Sequence, residues 1–160
     1  MGSRSKINLA YIAGFLDGDG SLMIQLKSRV KEGLPHRLMF TTCFYQDSRH
    51  EETLSWIRTI LGIGYISKRN DGMTELRING YRQTRDVLAM LLPYIRFKHV
   101  QAHALHHIAT IVSKRRYLRK LSLGEKEVLL RSIVTVQNNN YASRKKKSES
   151  ELRKILGLTP

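Results

Sequence analysis

The sequence is poor in cysteine, in acidic residues and in long apolar runs. Its single cysteine, Cys43, excludes an internal disulfide and fits a reducing compartment rather than the disulfide-rich secreted class. No apolar run approaches the roughly 20 residues that a bilayer span needs, which argues against a membrane-spanning protein. No apolar signal segment follows Met1, and Met1-Gly2-Ser3 is more typical of an expression remnant than of a targeting element.

The scarcity of acids leaves a strongly basic chain. Lys and Arg total 28 against 13 Asp and Glu, a formal net charge of +15. Such an excess is usually tolerated because the partner is an anionic polymer, so nucleic acid is the first candidate and an anionic membrane surface the second. The membrane is less favoured, because the basic residues are spread over predicted strands and loops and not along one amphipathic helix.

Hydrophobic periodicity predicts an α+β fold in a single domain, with a core at about residues 7–113 and a helical region at about 114–160. Antiparallel hairpins separated by helices exclude a doubly wound parallel sheet. The first predicted helix is Ile7 to Asp17, with Asn8 as N-cap, and the second begins at a Ser48/Glu51 capping box and ends at Gly62. The next two are Arg82 to Leu92 and Phe97 to Ser113. The last two run from the Ser122/Glu125 capping box to about Gln137, and from Glu149 to Leu156. The predicted strands are Leu22 to Arg29 and Arg37 to Tyr45 around a loop at residues 33–35, then Tyr65 to Arg69 and Glu75 to Asn79 around a turn at Asn70-Asp71-Gly72.

Small residues dominate one face of the first predicted helix. Ala10, Gly14 and Gly18 lie four apart, with Ala13 and Asp17 on the neighbouring row. A glycine inside a helix costs about 1 kcal/mol relative to alanine, so two on one face indicate close approach by another helix. Because the chain contains no second small-faced helix, we expect the partner to be a second copy, related by a two-fold axis.

Two aspartates follow at the end of this helix. Two copies crossing at a two-fold axis would bring two Asp19 carboxylates close together, where cations are needed between the like charges. Alternatively, Asp17 and Asp19 only terminate the helix and tighten a turn. An EF-hand loop beginning at Asp17 is excluded, because its glycine position holds Leu22 and its last ligand position holds Ser28.

The stretch from Ile12 to Gly20, followed by Ser21, resembles the signature motif of the LAGLIDADG homing endonucleases. The order of helices and hairpins is similar to that family over roughly the first 110 residues. The resemblance implies an αββαββα core with a saddle-shaped antiparallel sheet in each subunit, extra C-terminal helices, and a homodimer, since the chain has one motif. It also implies an intron-encoded endonuclease that makes a double-strand break at a long, nearly palindromic DNA site and so promotes intron homing.

The resemblance also implies particular catalytic residues. The family's metal-binding acid matches Asp19, and the backbone carbonyl before it matches Gly18; the carboxylate oxygen suits Mg²⁺ or a similar cation such as Mn²⁺. A water-organising glutamine matches Gln46, and a lysine near the scissile phosphate matches Lys98. The alternatives are that Gln46 only caps the following helix, and that Lys98 is only a solvated head at a helix start.

DNA recognition is expected from the polar sides of the strands, because a strand of about nine residues spans roughly 30 Å, close to one turn of duplex. Arg and Gln suit bidentate contacts to guanine and adenine edges. The predicted contacts on the first hairpin are Met23, Gln25, Lys27, Arg29, Arg37, Met39 and Thr41. Those on the second hairpin are Tyr65, Ser67, Arg69, Glu75 and Arg77. Lys31, Lys68 and the tail from Arg144 to Lys147 are expected to contact phosphates, or are merely solvated charges.

Other patterns point elsewhere less clearly. His99, His103, His106 and His107 lie at helical spacing, but no acid or cysteine stands nearby to complete a zinc site. A non-cleaving protein, either an RNA maturase or a DNA-binding regulator, would carry the same fold and charge. The sequence leaves this second function open, and it differs from cleavage at Asp19, which only the nuclease requires.

Overall fold

The computed structural model describes residues 3–28, 36–115, 118–141 and 146–160. The predicted loop at 33–35 and the predicted DNA contacts Arg29, Lys31, Arg144 and Lys145 lie outside these ranges. The described helices are α1 (Lys6–Asp19), α2 (Glu52–Leu61), α3 (Tyr81–Leu91), α4 (His99–Arg115), α5 (Leu123–Asn139) and α6 (Glu149–Leu156), with 3₁₀ turns at Ser48–His50 and Leu118–Lys120. The strands are β1 (Gly20–Lys27), β2 (Arg37–Asp47), β3 (Tyr65–Lys68) and β4 (Met73–Asn79).

The four strands form one antiparallel sheet in the order β1-β2-β4-β3. This confirms the predicted α+β class and the αββαββα order. Side chains alternate across the sheet, so one face is apolar and packs on the helices while the other carries polar side chains. The apolar face includes Leu22, Ile24, Leu26, Phe40, Phe44, Leu76 and Ile78. We call the opposite side the polar face.

Helix α1 begins and ends outside its predicted limits. Its N-cap is Ser5, whose Oγ accepts a hydrogen bond from the Asn8 backbone N–H at 3.2 Å; the predicted cap, Asn8, instead donates from its amide to the Ser3 carbonyl at 2.6 Å. The helix continues through Gly18 to Asp19 and then passes directly into β1 at Gly20, whose backbone is extended. Asp19 is therefore the last helical residue, at the point where the chain enters the sheet.

The predicted Ser48/Glu51 capping box does not form. A 3₁₀ turn spans Ser48–His50, and α2 begins at Glu52. Both predicted capping side chains bond to Thr74 on β4 instead, since Ser48 Oγ and Glu51 Oε2 each lie 2.8 Å from Thr74 Oγ1. A tertiary partner across the sheet thus replaces the local capping interaction.

The C-terminal helices extend the same core. The Ser122/Glu125 capping box of α5 forms as predicted, with both side-chain-to-backbone hydrogen bonds present. The end of α5 is tied to the sheet, because Asn140 Nδ2 donates to the Leu22 carbonyl at 2.8 Å. One hydrophobic cluster runs from Ile12 in α1 to Leu158 after α6. No helix of the described ranges has both the length and the apolarity required to cross a bilayer.

Candidate cleavage site and nucleic-acid interface

The C-terminal end of α1 presents oxygen atoms to solvent. Gly18 and Asp19 are both exposed, and Asp19 is the last residue of the helix. Because the last carbonyls of a helix lack intrahelical donors and carry its negative dipole end, this position favours a bound cation. The carboxylate of Asp19 adds a full negative charge at the same place.

Asp17 is held within its own chain. Its carboxylate accepts three backbone hydrogen bonds, from the N–H groups of Arg96 at 2.7 Å, Phe97 at 3.1 Å and Lys98 at 2.9 Å. These groups immediately precede α4, which begins at His99. Asp17, which the sequence also predicts at the dimer interface, is thus engaged through its carboxylate in capping the segment before α4.

Lys98 lies between the two aspartates and an aromatic ring. Its ammonium donates to the Asp17 carbonyl and lies 5.3 Å from the centre of the Phe97 ring. Partial burial lowers the pKa of Lys98, and the negative charges of Asp17 and Asp19 oppose that shift. The fold therefore brings together two of the three predicted catalytic residues, an exposed carboxylate and a half-buried ammonium.

Gln46, the third predicted catalytic residue, lies near the same end of the sheet. It follows Phe44, the register partner of Gly20, by two residues. Its Oε1 accepts the backbone N–H of Asp47 at 2.8 Å. Its amide oxygen is thus bonded to its own strand.

Two exposed aromatic side chains, Phe97 beside Lys98 and its neighbour Tyr141, were not predicted from the sequence as site residues. The rings of Phe97 and Tyr141 are stacked with their centres 6.1 Å apart, and both are exposed. Of the two, Phe97 lies beside the ammonium. In the sequence, Phe97 lies at the start of a predicted helix, and Tyr141 lies beyond the end of another. Neither local pattern therefore indicated a functional site.

The small-residue face of α1 is only partly as predicted. Ala10, Gly14 and Gly18 are exposed, and a Cβ added to Gly14 or Gly18 would meet no other atom of the described residues within 4 Å. Ala13 is 0% exposed and packs in the core of its own subunit, so its assignment to a dimer interface was wrong. At about 100° per residue, Ala13 falls beside Ile12 and Leu16 on the buried side.

The same exposed face carries two apolar side chains that were not predicted as interface residues. Ile7 is 82% exposed and Tyr11 55% exposed, while Tyr11 also packs edge-on against Trp56. Ile7, Tyr11, Gly14 and Gly18 follow the spacing of one helix row. The spacing of this row can be seen in the sequence, but the prediction considered only the small residues and omitted Ile7 and Tyr11.

The register places the predicted DNA contacts of the two hairpins on the polar face. Met23 pairs with Thr41, Gln25 with Met39 and Lys27 with Arg37. On the other hairpin Tyr65 pairs with Arg77, and Ser67 with Glu75. Arg69 follows β3 directly. Lys68 lies on the helix side of the sheet instead, where its ammonium is 3.1 Å from Glu51, so its predicted phosphate contact is not among those of the polar face.

The polar face contains a buried hydrogen-bonded cluster. Glu75 is 7% exposed and accepts both Arg77 Nε at 3.1 Å and Arg77 Nη2 at 3.3 Å. The Cys43 thiol contacts Glu75 Oε2 at 3.8 Å, and burial raises the pKa of Cys43 to about 11. Ser21 and Tyr45 share a hydrogen bond of 3.0 Å beside them. Glu75, which is predicted to contact DNA, is therefore already hydrogen-bonded to Arg77 within its own chain.

Some members of this cluster were missed as functional candidates. Ser21, Cys43 and Tyr45 share the face of the predicted contacts by strand alternation, which was the available signal. Thr41 was predicted to contact DNA, yet it is nearly buried and donates to Asn79 Oδ1 at 2.8 Å. Asn79 in turn donates to the Tyr65 hydroxyl at 3.1 Å, so it too belongs to this face.

A profile of the LAGLIDADG endonuclease family matches residues 12–102, which include the end of α1, both hairpins and Lys98. The chain belongs to the LAGLIDADG endonuclease family. The resemblance in the motif is thereby confirmed. This LAGLIDADG chain is 35% identical over 99 residues to the DNA endonuclease I-CvuI of Chlorella vulgaris and 28% identical over 99 residues to I-CreI of Chlamydomonas reinhardtii. Each alignment covers 62% of this chain, and it spans 62% of I-CvuI and 60% of I-CreI.

Solved structures match over more of this LAGLIDADG chain. A structure of I-CvuI in complex with DNA superposes with a TM-score of 0.77 at 25% identity, covering 97% of this chain and 98% of that one. The archaeal intron-encoded homing endonuclease I-Vdi141I, also complexed with DNA, superposes with a TM-score of 0.76 at 16% identity, covering 94% and 95%. The fold, including the helices beyond the family match, is thus that of the LAGLIDADG endonucleases.

The oxygen donors at the α1 end fit half of a divalent-cation site. Within the described ranges, no group of three or more His, Cys, Asp or Glu side chains could by itself hold a metal ion. One chain offers the Asp19 carboxylate and the Gly18 carbonyl, which are hard oxygen ligands of the kind that Mg²⁺ and Ca²⁺ prefer. A second copy placed on the exposed face of α1 would add the same two donors.

Proposed function

We propose that this protein is a site-specific DNA endonuclease that depends on a divalent cation and cuts both strands of a long, nearly palindromic site as a homodimer. The observation that carries the proposal is the exposed Asp19 carboxylate at the end of the α1 face, beside the half-buried Lys98 ammonium. The site lies where α1 ends and the chain continues into β1 of the sheet. An intron-encoded enzyme of this kind makes such breaks to promote intron homing.

The proposed chemistry is hydrolysis of a phosphodiester. Water attacks phosphorus in line with the leaving oxygen, and negative charge accumulates on the phosphoryl group. Asp19 and the Gly18 carbonyl would hold the cation, which supplies Lewis-acid stabilisation of that charge. Lys98 adds a fixed positive charge, and its partial burial keeps water from screening it. Gln46 would orient the attacking water.

The dimensions of the polar face support a duplex partner. Strand β2 has 11 residues and so spans roughly 36 Å, about one turn of B-DNA. The excess of 28 basic over 13 acidic residues favours a polyanion. One structure of the similar protein I-CvuI contains the I-CreI target, uncleaved, in the presence of Mg, and another contains its own target in the presence of Ca. Two-fold symmetry would make the two half-sites similar in sequence.

Substitution of Asp19 tests the cleavage proposal. The wild-type protein is incubated with a randomised duplex library and Mg²⁺ to find its target, and cleavage of that target is then compared for Asp19→Asn and the wild type. We expect a rate loss of about a thousandfold or more, because the substitution removes the charged ligand. Binding of the target, measured in Ca²⁺, should stay within about threefold, since Asp19 supplies no base contact.

The matched control is Asp86→Asn, which alters another exposed carboxylate, on α3, paired with Arg85. It should cut like the wild type. Undiminished cleavage by Asp19→Asn would reject the assignment of the catalytic acid. A wild-type protein that binds DNA or RNA tightly but cuts no duplex would favour the non-cleaving functions, maturase or regulator.

The homodimer proposal has its own measurement. Light scattering of the purified complex should give two protein chains per duplex. Gly14→Leu should reduce dimer formation, because the exposed α1 face then carries a bulky side chain where two helices would touch. A single chain bound to a cleavable duplex would contradict the proposal, since one chain supplies only one Asp19.

A further inference from the structure

The carboxylate of Asp17 satisfies three consecutive backbone N–H groups across a separation of about eighty residues in sequence. The donors are Arg96, Phe97 and Lys98, at 2.7, 3.1 and 2.9 Å. Hydrogen bonds to an ionised carboxylate are about twice as strong as neutral ones. They also lie at the N-terminal end of α4, where the helix dipole favours a negative charge. Asp17 therefore ties the end of α1 to the segment before α4.

Lys98 is held by Asp17 at both of its ends. The backbone N–H of Lys98 donates to the Asp17 carboxylate, and its ammonium donates to the Asp17 carbonyl. A free lysine side chain has four rotatable bonds and loses rotamer entropy when it is fixed. Because Asp17 precedes Asp19 by only two residues, the same tie sets the position of the ammonium relative to the proposed metal-binding carboxylate.

We infer that Asp17 is a positioning residue that fixes the Lys98 ammonium beside Asp19 for the cleavage step. The inference rests on the proposed endonuclease function. It differs from the two other roles that the sequence suggested for Asp17, a helix terminator and a dimer contact. A helix terminator would affect stability without acting through Lys98, and a dimer contact would affect assembly.

A double-mutant cycle between Asp17 and Lys98 distinguishes these roles. Single-turnover cleavage at saturating protein is measured for Asp17→Ala, Lys98→Met and the double variant. We expect Asp17→Ala to slow cleavage by about ten- to a hundredfold, because a misplacement of about 1 Å in a catalytic group costs this much. DNA affinity in Ca²⁺ should change by less than about threefold, so that the loss is in the chemical step.

The decisive result is the double variant. If Asp17 acts through Lys98, the double variant cuts no more slowly than Lys98→Met alone. Multiplied losses would overturn the inference. So would a loss of affinity or of dimer formation large enough to account for the slower cutting. Asp17→Asn retains one carbonyl acceptor in the same shape and should recover part of the rate; it also replaces Asp17→Ala if that variant is poorly folded.

The structural control is Glu125→Ala. Glu125 is likewise a carboxylate that accepts a backbone N–H at a helix start, from Ser122 at 2.8 Å, but it serves α5. Its loss should lower the midpoint temperature of thermal unfolding. The single-turnover cleavage rate should stay unchanged, whether or not Lys98→Met is also present. A slowed rate in Glu125→Ala would mean that any lost cap affects the site, which would overturn the specific role of Asp17.

Hydrogen exchange gives a readout that does not depend on cleavage. In Asp17→Ala the amides of residues 96–98 should exchange at least about tenfold faster, because their acceptor is gone. Unchanged exchange at these amides would overturn the inference even if no DNA substrate is found. Failure of the wild type to cut any duplex would instead reject the proposed function, which separates the two failures.

Discussion

The two ends of the polar face differ in how far their side chains are ordered before any ligand binds. At the end near α1, Arg77 and Cys43 contact Glu75 at 3.1 and 3.8 Å, Ser21 shares a hydrogen bond of 3.0 Å with Tyr45, and Cys43 is 0% exposed. We call this set the buried cluster. At the other end, Gln25, Lys27 and Arg37 are exposed. We call these three the hairpin end. Both ends include residues of β1 and β2, and the buried cluster also includes Glu75 and Arg77 of β4.

This difference separates two contributions to recognition. Side chains of the buried cluster lose their rotamer freedom during folding, whereas those of the hairpin end lose it on binding, at about 0.5–1.5 kcal/mol each. A pre-ordered arginine presents its remaining N–H groups in a fixed direction, which suits discrimination between bases. A mobile exposed lysine suits attraction to phosphate, which is the same at every base pair. We therefore expect specificity from the buried cluster and affinity from the hairpin end.

The largest expected effect concerns thiol reactivity. Burial raises the pKa of Cys43 to about 11, so at pH 8 its thiolate is about a hundredfold scarcer than that of a thiol with an ordinary pKa near 9. Alkylation by iodoacetamide, followed by intact mass, should be at least about a hundredfold slower than for a cysteine placed at the hairpin end. The rate should rise with pH until the thiol is ionised near pH 11.

The comparison protein is the double variant Cys43→Ser with Gln25→Cys, which moves the one thiol from the cluster to the exposed end of the same face. Similar alkylation rates in the two proteins would show that the cluster opens readily. The proposed difference in order between the two ends would then be wrong.

Removal of Glu75 should have the next largest effect. Glu75→Ala frees Arg77 from its two hydrogen bonds, so preference for one base pair in each half-site should weaken by about tenfold. Competition binding against targets with single base-pair changes measures this preference. Asp71→Ala is the matched variant, because Asp71 also pairs with an arginine two residues away, Arg69, but at an exposed turn. Exposed pairs contribute little, so its effect should be at most about twofold; equal losses in both variants would contradict the comparison.

The sequence predicted the two faces of the sheet but not the connections within one of them. Alternation placed Cys43 and Tyr45 on the polar side, since it depends only on spacing along a strand. The contacts of Glu75 with Arg77 and Cys43 depend on the register between β2 and β4, which one sequence does not reveal. The Ser48/Glu51 capping box failed for the same reason, because Thr74 on another strand took both of its side chains.

The proposed cleavage site shows a similar division between what local motifs predict and what the fold determines. Asp19 and Lys98 were predicted through the resemblance of local motifs, and the fold does bring them near each other. The role of Asp17 could not be predicted, because its three donors lie 79 to 81 residues away. Ala13 was misassigned because spacing of small residues does not show which side of a helix the core occupies; burial of Ile12 and Leu16 decides that.

The smallest expected effect is on salt dependence. Lys27→Gln at the hairpin end should reduce the slope of log affinity against log salt by about 0.9, the value for one lost phosphate contact. Affinity should fall by about threefold and equally for all targets, because phosphate contacts carry no base information. Lys68→Gln is the sharper comparison, since the ammonium of Lys68 is paired with Glu51 on the helix side of the sheet. It should leave the slope unchanged. If Lys68→Gln lowered the salt-dependence slope as much as Lys27→Gln, the bound DNA duplex would have to contact the helix side of the sheet. The polar face would then not be the whole of the binding surface.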